Sequence, residues 1–129
     1  VASFYKRRKK WNAVVARLEV VARDFGGLGY EDKVYFGMHD AWRNIQADAK
    51  RRIDQGKAQL EKAKAGVEKK GDQATDSDRQ PVRDAEASIK EAESALAAAD
   101  GKPEAVLRRL IEKYPDSDEA KRARAMLEQ

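Results

Sequence analysis

Hydrophobic positions along this chain recur at helical spacing nearly from end to end. Across residues 12–25, Val14, Val15, Leu18, Val21, Ala22 and Phe25 return at intervals of three and four, which is one face of a helix. Residues 2–9 read as a short preceding helix carrying Phe4 and Tyr5, with Trp11 before the longer run. Gly26, Gly27 and Gly29 end that run, since glycine takes up helix-terminating dihedrals without strain. Residues 31–43 restart, with Val34, Tyr35, Met38, Ala41 and Trp42 on one side.

From Trp42 the pattern tightens toward a heptad. Trp42, Ile45, Ala49, Ile53, Gly56, Leu60, Ala63 and Val67 alternate steps of three and four, flanked by Lys, Arg, Glu, Gln and Asp. Residues 70–81, KGDQATDSDRQP, read as a polar connector, with Pro81 in the first turn of the next helix. A second seam comes next: Val82, Ala85, Ile89, Ala92, Leu96 and Ala99. Two seams joined by a polar loop predict an antiparallel helical hairpin. At 1.5 Å per residue, an arm of about 25 residues reaches roughly 38 Å. Disorder would scatter these helix formers instead of spacing them. The small seam residues bury little area, so the tip is expected to be weakly stable.

Asp100-Gly101-Lys102-Pro103 predicts a turn or kink. Residues 103–114 form a helix with Val106, Leu107, Leu110 and Ile111 inward and Tyr114 closing it. Pro115 stops it, and Asp116 or Ser117 caps a last helix whose Ala120, Ala123, Ala125, Met126 and Leu127 face a neighbour.

The chain also echoes itself. Aligning Gly26 with Pro115 places Leu18 on Leu107, Val21 on Leu110, Phe25 on Tyr114 and Val14 on Pro103. Upstream of each copy lies an aromatic, Tyr5 or Trp42, but the second copy holds about 52 residues more. A turn is where an insertion costs least. The fold expected is therefore all-α. Residues 1–43 supply a first repeat and helix A of a second, 44–102 an inserted hairpin and turn, and 103–129 helix B and a following helix. Period and residue types resemble a tetratricopeptide repeat.

Residues 9–43, KKWNAVVARLEVVARDFGGLGYEDKVYFGMHDAWR, with PEAVLRRLIEKYPDSDEAKRARAML at 103–127, resemble the outer-membrane protein assembly lipoproteins of the BamD type. That resemblance implies a non-catalytic periplasmic adaptor made of tetratricopeptide-like repeats. It also implies a lipid tether to the outer membrane (absent from this chain) and partners in client peptides and the periplasmic domains of a β-barrel insertase. A general repeat-type interaction module, or a homo-oligomeric helical protein associating through its alanine-rich seam, is the alternative.

Composition narrows the chemistry. The chain has 129 residues, 39% of them charged, no cysteine and a single histidine. Disulfides and thiolate metal sites are excluded, HExxH is absent, and no apolar window is long enough to span a bilayer. GGLG at 26–29 lacks the Lys-Ser/Thr of a phosphate loop and follows a helix. No catalytic site, cofactor or metal is expected. The net charge of +4 is concentrated at one end, where residues 1–25 carry seven Lys/Arg against two acids. The basic patch Lys6, Arg7, Arg8, Lys9, Lys10 spreads around the helix and reads as an ordinary solvated face, or as a contact for an anionic membrane surface or an acidic partner. Nucleic acid is the weakest reading, because it asks for more charge and a reading helix. Repeat proteins bind with the face their A helices line. The groove expected here comprises Phe4, Tyr5, Arg8, Tyr35, His39 and Arg43, with aromatics beside arginine suiting an extended peptide that ends in a carboxylate. Core packing is the competing reading for Tyr5 and Tyr35, and helix packing or surface hydrogen bonding for His39.

Overall fold

The computed structural model describes the backbone at residues 2–24 and 31–129 and the side chains at 6–24 and 33–129. The described residues form an all-helical chain: α1 (Ala2–Asp24), α2 (Glu31–Lys70), a 3₁₀ turn (Gly71–Gln73), α3 (Asp76–Ala99), α4 (Lys102–Lys113) and α5 (Asp118–Leu127). The spine is α2. It packs against α1, α3 and α4, while α5 packs on α4.

The N-terminal segment differs from expectation. No turn separates a short first helix from a second; α1 is a single helix of 23 residues. Nothing between Ala2 and Asp24 breaks a helix, since the segment has neither glycine nor proline and its Lys/Arg run consists of good helix formers. Among the described residues one long helix, not a helix pair, precedes α2.

The base of the molecule is built on large side chains. Tyr35 and Met38 of α2 are enclosed with Pro103, Leu107 and Leu110 of α4. Leu18, Val21, Trp42, Ile111 and Tyr114 pack around that centre. Phe36, which the periodicity left outside the inward set, is also buried beneath the Arg122 guanidinium, 4.4 Å from the ring centroid. On α5, Ala120 and Ala123 are buried but Ala125 is exposed, so only part of its apolar set meets a neighbour.

Beyond the base, α3 runs back along α2. Gln46 Nε2 donates to the Ala99 carbonyl at 3.3 Å. Further out, a Cβ on Gly56 would lie 2.6 Å from Ile89 Cγ1. At the tip Lys70 Nζ donates to Asp78 Oδ1 at 2.6 Å. These pairs fix an antiparallel register. Ala49, Ala92 and Ala95 are buried between the helices, so the alanine seam is consumed inside the chain and is not free for self-association.

The tip is also tighter than the polar stretch 70–81 suggests. Thr75 and Asp78 form a capping box, with Thr75 N donating to Asp78 Oδ2 at 2.8 Å and Asp78 N to Thr75 Oγ1 at 3.2 Å. Asp76–Gln80 are thereby helical, and Pro81 sits inside α3 beyond its first turn. Downstream, Gly101 adopts φ +73° between α3 and α4, and Ser117 caps α5 by accepting from Ala120 N at 3.0 Å.

Candidate binding cleft

The residues expected to line one groove are distributed over three places. His39 and Arg43, one turn apart on α2, do meet. With Glu104 and Leu107 of α4, Met126 and Leu127 of α5, and Gln129, they line a cleft of about 300 Å³. This volume is at the lower end of small-molecule and peptide-side-chain pockets. The His39 imidazole is largely buried, and its Nδ1 lies 3.5 Å from Asp40 Oδ1. That atom has no hydrogen-bond partner among the described residues. The neighbouring pair His39 and Asp40 thus touch, despite the angle between successive helix positions.

Tyr35 is not part of the cleft. It is 2% exposed, with its ring edge-on to Tyr114 at 6.4 Å and beneath the Arg109 guanidinium at 5.8 Å. The cause is that α2 is covered by both α1 and α4, so its inward arc is wide enough to enclose this position. Arg109 is itself fixed by a bidentate pair with Glu19 of α1, at 2.7 and 3.1 Å, which raises its pKa further. The pair links α1 to α4 across the base.

Arg8 lies elsewhere again. It is 3.4 Å from Glu91 of α3 and lines a separate hollow of about 250 Å³ with Asn12, Trp42, Ile45, Ser94, Ala95 and Ala98. Phe4 and Tyr5 lie outside the described side chains.

The basic run is divided in the same way. Lys6, Lys9 and Lys10 are exposed, and Lys10 Nζ lies 5.1 Å over the Trp11 ring. Arg7, also exposed, and the partly buried Arg8 instead reach acidic partners on the arm. Arg7 Nε is 3.4 Å from Asp48 Oδ2, and Arg51 reaches the other oxygen of the same buried carboxylate at 3.2 Å. A buried carboxylate needs such partners to offset lost hydration. Two of the five cations therefore dock α1 onto the arm, and no continuous basic stripe remains.

Sequence reasoning missed Asp48, whose place beside Ala49 in the seam was the available signal, and the cleft walls Glu104 and Gln129. Compared with protein-family models, curated proteins and solved structures, the chain matches none at a significant level. Among the described residues, no helix is long and apolar enough to cross a membrane.

Proposed function

We propose that this chain is a non-catalytic adaptor that binds partner proteins through the cleft between α2, α4 and α5. One observation carries the reading: a buried imidazole and the Arg43 cation share a concave site with Leu107, Met126 and Leu127. Arginine takes a carboxylate through paired donors, while the apolar wall takes an aromatic or aliphatic side chain. An extended peptide whose last residue is aromatic and whose C-terminal carboxylate is free fits this chemistry. Glu104 on the opposite wall adds an acceptor for a backbone N–H.

In this reading α1, the first part of α2, α4 and α5 are tetratricopeptide-like layers, and the outer part of α2 with α3 is an insertion between helices A and B. Residues 9–43 and 103–127 support a role like that of the periplasmic lipoproteins that assist outer-membrane β-barrel assembly. Clients and insertase domains are the partners that role implies. A general interaction module is the alternative, and the same cleft would serve it.

The test is fluorescence anisotropy with a labelled peptide ending in phenylalanine, as the free acid and as the amide. Arg43→Ala should weaken the free acid about tenfold or more and narrow the difference between acid and amide, while Arg8→Ala leaves both unchanged. Equal affinity of Arg43→Ala and the parent, with helicity intact, overturns the assignment. Capture from solubilised cell envelope then separates the assembly role from the general one: recovery of barrel-insertase domains supports the former, and their absence among partners removes it.

A further inference from the structure

The arm of α2 and α3 has two long faces, and the N-terminal part of α1 lies against the lower end of one of them. On that side Arg7 reaches Asp48 and Arg8 reaches Glu91, and Ser94, Ala95 and Ala98 look toward α1. The opposite side is an open groove of about 560 Å³, walled by Lys50, Ile53 and Lys57 on α2, by Glu93 and Leu96 on α3 and by Asp100 just past its end.

Both walls are written in the same heptad with inverted charge. On α2, Lys50 precedes Ile53 by three positions, and Lys57 precedes Leu60 likewise. On α3, Glu86 precedes Ile89 and Glu93 precedes Leu96 at the same interval. The apolar positions buried between the two helices go to small residues, Ala49, Gly56, Ala85 and Ala92, whereas Ile53, Leu60, Ile89 and Leu96 are only partly buried. Lys50, Lys57, Glu86 and Glu93 are all exposed, and none has an ion pair or hydrogen bond to another described side chain. An apolar strip flanked by unspent charge is what a coiled-coil interface presents, with the flanking charges choosing the partner.

We propose that a second copy of this chain covers the groove, the two arms lying face to face about a two-fold axis parallel to their length. Such a rotation preserves height along the arm and sets α2 of one copy over α3 of the other. The register is fixed by Gly56 opposite Ile89, which puts Glu93 level with position 52 and Glu86 level with position 59. Lys50 then lies two residues, about 3 Å, from the height of the partner's Glu93. Lys57 has the same offset from the partner's Glu86. Each contact occurs twice, as an isologous interface requires. A two-fold axis across the arm would instead set lysine wall on lysine wall. The charge pattern therefore selects the parallel arrangement, a four-helix bundle with Ile53, Leu60, Ile89 and Leu96 at its centre.

Sedimentation velocity on the full chain tests this with two charge reversals, Lys50→Glu/Lys57→Glu and Glu86→Lys/Glu93→Lys. The parent should dimerise. Each variant alone should dimerise at least about tenfold more weakly, from four like-charge contacts per interface, with circular dichroism unchanged. An equimolar mixture of the two variants should recover the dimer, because opposite charges again face each other. A parent that stays monomeric overturns the proposal, as does a dimer indifferent to both reversals or a mixture that fails to associate.

Discussion

The two ends of α2 are packed with different material. At the base, Tyr35 and Met38 meet Leu107 and Leu110, and each large side chain removed from water contributes about 1.5–3 kcal/mol. In the arm the buried apolar residues between α2 and α3 are small, alanines such as Ala49 and Ala92 beside Gly56, with Asp48 and Arg52 buried as well, and the helices hold together by backbone proximity, as where Gly56 admits Ile89. The difference teaches that one continuous helix spans two stability regimes: the base carries the global fold, and the arm opens at lower cost.

Leu110→Ala attacks the stronger end. Leu110 is 0% exposed, and truncation should cost about 2–5 kcal/mol, seen as a lower urea midpoint for the whole chain. A loss confined to the arm would break the comparison. Gly56→Leu attacks the weaker end by driving a side chain into Ile89. Overpacking of this kind costs about 1–3 kcal/mol. Hydrogen exchange should quicken along residues 57–90 and leave the amides of Leu107 and Leu110 protected. Equal acceleration at base and arm would show one cooperative unit.

Thr75→Ala is the smallest and most local change. Losing the cap should cost about 1 kcal/mol, read as faster exchange over residues 76–82 alone. The same cap gives the tip a pH response. The hydrogen bond from Lys70, then those from Thr75, hold the Asp78 carboxyl down at about 2 against an ordinary 3.8. Because the folded-state pKa is depressed, the carboxylate's contribution is complete above pH of about 4 and is lost as pH falls toward about 2. Amide chemical shifts at Thr75 and Asp78 followed through that range should titrate together, and in Thr75→Ala the midpoint should rise.

Much of the fold is legible wherever the chain carries punctuation. Pro103, Pro115 and Ser117 bound α4 and α5 nearly to the residue, because each acts locally on backbone geometry. The arm is legible from its two seams, since period and small residues together dictate close antiparallel packing. The tip is harder, because TDSD reads as polar loop while its physics is that of a helix cap. The single α1 hides behind its aromatics, although no breaker stands between Ala2 and Asp24.

The cleft is half legible. His39 and Arg43 share a helix face at a spacing of four, but Met126 and Leu127 arrive from more than eighty residues away. Tyr35 shows the limit most clearly. An aromatic beside a candidate groove reads the same whether it faces the ligand or the core, and only the second cover, α4, decides.

The spine helix also acts as a lever. It is 40 residues long, about 60 Å at 1.5 Å per residue, and no proline interrupts it. Arg43 sits near one end of this rod and the tip lies about 40 Å beyond it. A tilt of about 5° at the base therefore swings the tip by roughly 3.5 Å over that length.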